Sequence, residues 1–359
     1  MNTIPSITLI QDLFSLPKNT LSEICTDLDL NDDGYKGDLT NRIFQHLANQ
    51  TKLKESSLAS YSDKIFGGKT SITWYQFDTH LSIKDFNNLI NETLTFNPFE
   101  GINIPVSEDI TTIPQIIGAA QGIKENEVFL RFMYKSGVNQ EVYATGIETT
   151  PKTSLTTAYY NSDSGILELR GDPRKAETIA KEIARLLKQQ INLSQAETPF
   201  NHKIGDIADN LNGELIDATS KPEIILEEFD EEQSSAVANV LTALDVYFNT
   251  NDSEELEKQL QEANKAFGNQ KISVPFSALI LSGMGKVGLG GENEIRGLPL
   301  FDYLSPNLQH QGGFIRFRFN EGGIEKEYTV RIGMKSRSIF FATPATEQVI
   351  AYVRENVII

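Results

Sequence analysis

Several residue types are scarce in this 359-residue chain, and each scarcity excludes a class of protein. The single cysteine, Cys25, excludes an intrachain disulfide framework and fits a reducing compartment such as the cytoplasm. The longest apolar run, Val274–Leu281, is too short to span a bilayer. The start of the chain lacks a basic segment followed by a long apolar run, so we expect no signal peptide. These absences predict a soluble cytoplasmic protein without membrane contact.

Positive charge is also scarce, since 32 Lys and Arg face 49 Asp and Glu, for a net charge of −17. The deficit is concentrated in residues 205–270, where 16 acidic residues face three lysines. Apolar residues recur at helical spacing on both sides of a break at 251–253, which predicts an acidic helical hairpin. Such a surface either keeps the hairpin solvated or docks a protein partner with a basic surface, and both interpretations stay open.

Signatures of phosphate, cofactor or metal binding are incomplete. Gly67–Thr70 resembles the end of a phosphate-binding loop, but Asp63 occupies the upstream glycine position and a predicted strand follows. We therefore predict a hairpin turn there. Ser282–Gly291 is glycine-rich without the required Ser or Thr, which predicts a mobile loop. We expect neither a cofactor nor a metal, because the four histidines lack ligand spacing: His46, His80, His202 and His310.

One pattern suggests an enzyme. Asp163 precedes Glu168 and Arg170, and two acids with a basic residue are typical of metal-dependent nucleases. That chemistry requires both carboxylates to converge on a metal ion. A divergent nuclease is therefore kept as a third hypothesis.

Two helices are predicted within residues 20–47. Thr20 and Glu23 have the spacing of a capping box, which predicts a helix from Leu21. Asn31–Gly34 favours a turn, and a second helix with a buried face is predicted to follow it. Cys25 lies on the apolar face of the first helix, so we expect a core residue and not a nucleophile.

The spacing of five residues in this segment resembles that of the SAP-type helix-extension-helix domain: Gly34, Lys36, Leu39, Arg42 and Ile43. The resemblance implies a small helical head that binds DNA, with Lys36 and Arg42 as contacts. Residues 1–50 nevertheless hold three Lys and Arg against seven Asp and Glu. Because DNA affinity depends on cations at the phosphates, weak binding or docking on a protein are both expected outcomes.

A weak internal repeat flanks the acidic segment. In the first copy, Val128–Tyr134 is a predicted strand, Ser136–Gln140 a turn and Glu141–Ile147 the returning strand. The second copy repeats this plan at Phe314–Phe319 with a turn at Glu321–Gly323. Each copy continues into a third strand and a helix, and the boundaries predicted for these are Ile166–Arg170, Asp172-Pro173, Ser338–Phe341 and Thr343-Pro344.

The second hairpin carries the best candidate surface for a nucleic acid. Alternation along its strands places cations on one face, opposite Ile315 and Phe317. These cations either contact phosphates or pair with the acidic residues of 205–270, since both use the same chemistry. The predicted contacts are Arg316, Arg318, Arg331, Lys335 and Arg337.

Together these patterns predict an α+β protein. The expected domains are a SAP-like head at 1–52, sheet-and-helix units at 53–204 and 271–359, and the acidic helices at 205–270, with Thr51–Ser62 as a linker. The predicted function is a non-enzymatic DNA-binding accessory or adaptor protein, within a complex for DNA metabolism or antiviral defence against phage. The alternative is a protein-interaction scaffold whose head docks on protein. The sequence leaves the oligomeric state open.

Overall fold

The computed structural model describes residues 1–48, 50–188, 192–201, 203–222, 231–250, 254–266, 287–298, 301, 305 and 308–359. Contacts divide the chain into two units. Unit 1 comprises residues 1–202, 206–213 and 316–359, and unit 2 comprises residues 203–205 and 214–315. This division runs differently from the four predicted domains, because the N-terminal helices and both predicted sheet units contribute to unit 1.

The described helices are α1 Ile10–Ser15, α2 Lys18–Asp27, α3 Lys36–Leu47, α4 Thr51–Leu58, α5 Ser62–Ile65, α6 Ile83–Thr93, α7 Pro173–Leu186, α8 Ile204–Asn210, α9 Glu231–Thr250, α10 Glu254–Ala266 and α11 Glu347–Val353. The described strands are β1 Ser71–Phe77, β2 Gln115–Gln121, β3 Glu127–Tyr143, β4 Gly146–Asn161, β5 Ile166–Arg170, β6 Leu193–Gln195, β7 Glu214–Pro222, β8 Val287–Gly290, β9 Leu308–Glu321, β10 Ile324–Gly333 and β11 Ser338–Phe341. This composition confirms the predicted α+β class.

The strands of unit 1 form an antiparallel sheet in the order β2-β3-β4-β5-β1-β11-β10-β9. Strand β1 lies between the two predicted copies, since Ile72 pairs with Arg170 of β5 and with Ile339 of β11. The two hairpins are therefore joined through one shared strand. Trp74 and Phe77 of β1 are buried.

Each face of this sheet carries its own hydrophobic core. On one face, α6 and α7 pack against Leu167 and Leu169 of β5. On the other face, the N-terminal helices pack against Phe129 and Tyr159. Residues of one strand contribute to both cores because successive side chains point to opposite faces of the sheet. The segment predicted to be a separate head thus shares its core with the sheet.

Several predicted boundaries are confirmed. Strands β5 and β11 have the predicted ends, and α7 begins at Pro173 after its predicted cap. The Asp172 side chain accepts a hydrogen bond from the Arg174 backbone amide at 3.0 Å. The second hairpin turns at Gly322 and Gly323, whose φ angles of +62° and +88° favour glycine.

Helix starts were predicted less well. The first head helix begins at Lys18, and Thr20 is buried inside it, so the predicted capping box is wrong. The last helix begins at Glu347 and not at Pro344. A bridge between Gly68 and Ala345 uses the Ala345 backbone amide and carbonyl, which keeps this stretch extended. The same bridge replaces the hairpin turn predicted at Gly67–Thr70.

The predicted linker is also wrong, because Thr51–Ser62 is mostly helical. Leu58 and Tyr61 of this segment are buried in the N-terminal core. The segment was predicted as a linker because most of its residues are polar. Its few apolar side chains stabilise the helix only through contacts with residues that are distant in sequence.

Unit 2 contains the acidic helices and a small group of strands. The predicted helical hairpin is confirmed, with Val240, Leu244 and Ala263 packed between α9 and α10. Strand β7 lies between β8 and the first part of β9. The second half of the predicted loop Ser282–Gly291 is strand β8; residues 282–286, the run 274–281 and the break 251–253 lie outside the described residues. No helix in the described ranges has the length and apolar character needed to cross a membrane.

Candidate functional site

The head has the predicted arrangement of two helices around an extended segment. Arg42 donates hydrogen bonds to the backbone carbonyl oxygens of Asn31 and Asp33, so it holds the connecting segment in place. The Lys36 ammonium lies 5.2 Å from the centre of the Phe14 ring, at the start of α3. Both predicted DNA contacts are half-buried: Lys36 lies beside the exposed Phe14 ring, and Arg42 holds the connecting segment in place.

Cys25 is a core residue of this head, as predicted. Its side chain is completely buried. Burial raises the pKa of the Cys25 thiol, although the nearby Arg42 guanidinium opposes the change. A thiol held in its neutral form is a poor nucleophile.

The predicted cationic face exists on the second hairpin, but its charges are partly compensated. Ile315 and Phe317 are buried, so Arg316 and Arg318 lie on the opposite face, as the alternation predicts. Arg316 lies 3.8 Å from a carboxylate oxygen of Glu327, and Arg318 lies 3.7 Å from one of Glu325: these glutamates come from the adjacent strand β10. Surface ion pairs at such distances are weak and screened by salt.

The remaining predicted contacts differ from one another. Arg331 and Lys335 are exposed, and Arg331 pairs in register with the partly exposed Phe340. Arg337 forms an ion pair of 2.5 Å with Glu197. The structure thus places a glutamate beside three of these cations, Arg316, Arg318 and Arg337, which lowers the positive potential available to a phosphate backbone.

The carboxylates of the nuclease hypothesis do not converge. Asp163 is exposed and accepts a hydrogen bond of 2.6 Å from the Asn126 amide. Glu168 is completely buried, so its side chain does not reach the surface that Asp163 occupies. Among the described residues there is no group of three His, Cys, Asp or Glu side chains arranged to hold a metal ion.

Glu168 instead lies at the centre of a buried network between β5 and the C-terminal helix. Its oxygens accept hydrogen bonds from Trp74 at 3.0 Å, from Arg354 at 2.5 Å and from Arg170 at 2.6 Å. Arg170 also bridges to Glu347. Burial alone would raise the pKa of Glu168, but the two arginines lower it to about 2. Arg170 donates a second hydrogen bond to Glu168, from its Nε at 3.0 Å, so four hydrogen bonds to this carboxylate serve the fold.

The largest feature that sequence reasoning missed is the outer part of the first hairpin. Strands β3 and β4 stay paired from Gly137 opposite Lys152 to Tyr143 opposite Gly146, which is seven consecutive pairs. At about 3.4 Å per residue this segment extends about 20 Å. The turn predicted at Ser136–Gln140 is wrong, because the strand continues through it with a bulge between Lys135 and Gly137. We call residues 137–152 the hairpin arm.

The hairpin arm has one apolar face. Val142 pairs with Ile147 and Val138 pairs with Pro151, so these four side chains share a face. Val142 is 78% exposed, Ile147 65% and Val138 48%. Gln140 pairs with Thr149 between them on the same face, so the apolar side chains form two small groups. Large apolar side chains exposed to this degree mark a candidate interaction surface.

The opposite face of the arm is acidic on balance, because Glu141 and Glu148 outnumber Lys152 there. Glu141 lies directly across from Glu148, and Tyr143, 51% exposed, donates a hydrogen bond to Glu141. Like charges directly opposite each other destabilise a two-stranded pair. The pair therefore favours a ligand that brings positive charge to the arm.

Both edges of the arm are open within the described part of the chain. Strand β2 pairs with β3 only as far as Met133, and β5 pairs with β4 only from Thr157 onward. A two-stranded ribbon is marginally stable in water by itself. Pro151, which has no N–H to donate, and Lys152 lie along the β4 edge and limit uncontrolled strand pairing there.

A scan against models of known protein families and a search of curated protein sequences found no match to this chain. The indications of function therefore come from its own surfaces. Of these, the hairpin arm groups three exposed large apolar side chains on one ribbon outside the two cores of the sheet: Val138, Val142 and Ile147.

Proposed function

We propose that this protein is a protein-interaction adaptor that holds a partner through the hairpin arm. The observation that carries the proposal is the exposed apolar face of Val138, Val142 and Ile147 on a ribbon with two open edges. Burying these side chains against a partner would stabilise the complex through the hydrophobic effect. Leaving these side chains exposed to water adds nothing to the stability of the protein's own core.

The chemistry of the arm specifies the partner. Its apolar face fits a hydrophobic groove, and Glu141 with Glu148 on the reverse face fits flanking Lys or Arg side chains. The net charge of −17 also steers basic proteins toward the chain and repels acidic ones. We therefore propose a basic protein with a hydrophobic groove as the partner, in the cytoplasm.

Site-specific photo-crosslinking in the native cells tests this function. A photoreactive amino acid replaces Val142 on the apolar face, and the matched control replaces the exposed Lys84 of α6. We expect one basic protein to be cross-linked from position 142 and not from position 84. Equal products from both positions, or none from position 142, would contradict the adaptor function.

DNA binding through the head is a second proposal, supported by the helix-extension-helix arrangement that the SAP resemblance implies and by the position of Lys36 beside the exposed Phe14 ring. We expect weak binding of a DNA duplex at about 50 mM salt that is lost by about 200 mM salt. Replacing Lys36 by Ala should lower the affinity several-fold, whereas replacing the exposed Lys52 should not. Fluorescence anisotropy measures both, and absence of binding at the lower salt would end this proposal for the isolated chain.

A further inference from the structure

The segment Gly67–Thr70, which resembles part of a phosphate-binding loop, lines a small polar pocket in unit 1. The pocket has a volume of about 280 Å³, below the range typical of sites for drug-sized ligands. Residues of α1, the end of α5, and strands β3, β4 and β5 complete its walls. A site of this size suits a small ligand or a single chemical group.

The lining of the pocket carries one cation that no carboxylate of the described residues compensates. This is the exposed Lys69, since Arg131 is paired with Asp12 and Arg170 with Glu168 and Glu347. The hydroxyl groups of Thr70 and Thr157 add hydrogen-bonding capacity. Guanidinium, ammonium and hydroxyl donors together are the set that recognises phosphate.

Arg131 provides the second, independent observation. It is 97% buried, given its 3% exposure. One of its terminal nitrogens donates to Asp12 at 2.6 Å, and the other donates to Thr157. Its Nε–H has no acceptor among the described residues. A buried donor on a charged group is costly without an acceptor, so an anion that reaches the Nε–H would remove this cost.

The guanidinium is also held in place before any ligand arrives. It lies 4.5 Å from the centre of the Phe66 ring, and its two terminal hydrogen bonds restrict rotation. Gly67 keeps the loop close to the fold, because a Cβ there would lie 2.3 Å from the Ala345 carbonyl oxygen. A preorganised donor loses little conformational entropy on binding.

We propose that this pocket binds the phosphate group of a small molecule, such as inorganic phosphate or a phosphomonoester. Arg131 holds the group from the buried wall, and the exposed Lys69 closes on it from the mouth of the pocket. The Thr157 hydroxyl, which already accepts from Arg131, can donate its own proton to a phosphate oxygen. No residue of the hairpin arm lines this site, so the phosphate-binding proposal is tested independently of the adaptor function.

The test uses the full chain with inorganic phosphate as the probe and chloride at equal ionic strength as the reference. Thermal unfolding and isothermal titration calorimetry are compared for the wild type, Lys69→Ala and Lys84→Ala. Both variants remove one exposed lysine from unit 1, but only Lys69 lines the pocket. Phosphate should raise the unfolding temperature of the wild type and Lys84→Ala. The apparent Kd should rise about five- to ten-fold in Lys69→Ala.

Arg131→Lys is a second variant that tests phosphate binding, because it keeps the positive charge but removes the planar set of donors. If this variant folds, its phosphate affinity should fall at least as far as that of Lys69→Ala. Equal unfolding temperatures in phosphate and chloride would overturn the proposal, as would equal phosphate affinity in the two lysine variants. Binding of a DNA duplex that depends on Lys69, without binding of phosphate, would also overturn it and assign the pocket to a nucleic-acid backbone.

Discussion

Replacing Glu168 by Gln is expected to lower the free energy of unfolding by about 3 kcal/mol or more. The side chain is completely buried between Arg170 and Arg354, and both guanidinium groups donate to it. Glutamine keeps the side-chain volume and one acceptor oxygen but removes the negative charge. The two buried guanidinium groups therefore lose the carboxylate that lies between them. Urea unfolding measured at neutral pH gives this difference directly.

The ionisation of the Glu168 carboxylate also makes the stability of the protein depend on pH. Its pKa is about 2 in the folded protein against an ordinary value of 4.5, so the folded state favours the ionised form. The stabilisation from this group is complete above the ordinary value and is lost as the pH falls toward 2. Stability should therefore decrease more steeply between pH 5 and pH 2 in the wild type than in Glu168→Gln.

A matched control is Glu177→Gln on α7. Glu177 pairs with Lys181 at 2.6 Å, but both side chains are about three-quarters exposed. Exposed ion pairs contribute little, so the urea midpoint of this variant should stay near that of the wild type. If Glu168→Gln unfolds at the same urea concentration as Glu177→Gln, the buried network does not stabilise the fold as described.

Introducing aspartate at both Val142 and Ile147 should reduce the affinity for the cross-linked partner at least about thirty-fold. The two residues face each other on the apolar side of the arm, and new carboxylates there would have to be desolvated in the complex. Because both positions are exposed and lie outside the cores, the loss of stability should be limited to the repulsion of two facing carboxylates, about 1 kcal/mol or less, which the control below shares. Calorimetric titration of the purified partner measures the affinity.

The control adds the same two charges to the opposite face, as Asn139→Asp with Thr150→Asp. These residues also face each other in register, one pair away from Val138 and Pro151. A partner that brings basic residues to the acidic face should bind this variant as well as the wild type or better. An equal loss of affinity in both double variants would show that charge, and not the apolar face, decides binding.

The sequence predicted those parts of the fold that depend on local chemistry. Asp172 and Pro173 define the start of α7 because capping and the fixed φ of proline act within one turn. Gly322 and Gly323 define a hairpin turn because both adopt positive φ. The alternation of Arg316 and Phe317 likewise assigned each side chain to the correct face.

The parts that were not predicted depend on partners distant in sequence. Ser136 and Gly137 are typical turn residues, yet the strand passes them through a bulge because β4 continues opposite. The β-branched residues between Thr149 and Thr157 were the signal that could have identified this long strand. Pro344 was expected to open a helix, but Gly68 pairs with Ala345 and delays it.

The candidate sites follow the same rule. The alternation along its strands correctly placed Arg316 and Arg318 on one face of the second hairpin. The sequence could not reveal that Glu325 and Glu327 would lie beside them. Glu168 and Arg170 resembled parts of a catalytic pattern, and only the distant Arg354 and Trp74 show them to be a buried structural network. Burial, which separates structural charges from functional ones, is a property of the whole fold.

The most direct test of the adaptor function is photo-crosslinking from position 142 in native cells, with position 84 as the reference. We expect a single basic partner that is cross-linked from the apolar face of the hairpin arm and is absent from the reference. A hairpin arm that yields no product, or the same products as position 84, would contradict it and leave the exposed face of Val142 and Ile147 without a function.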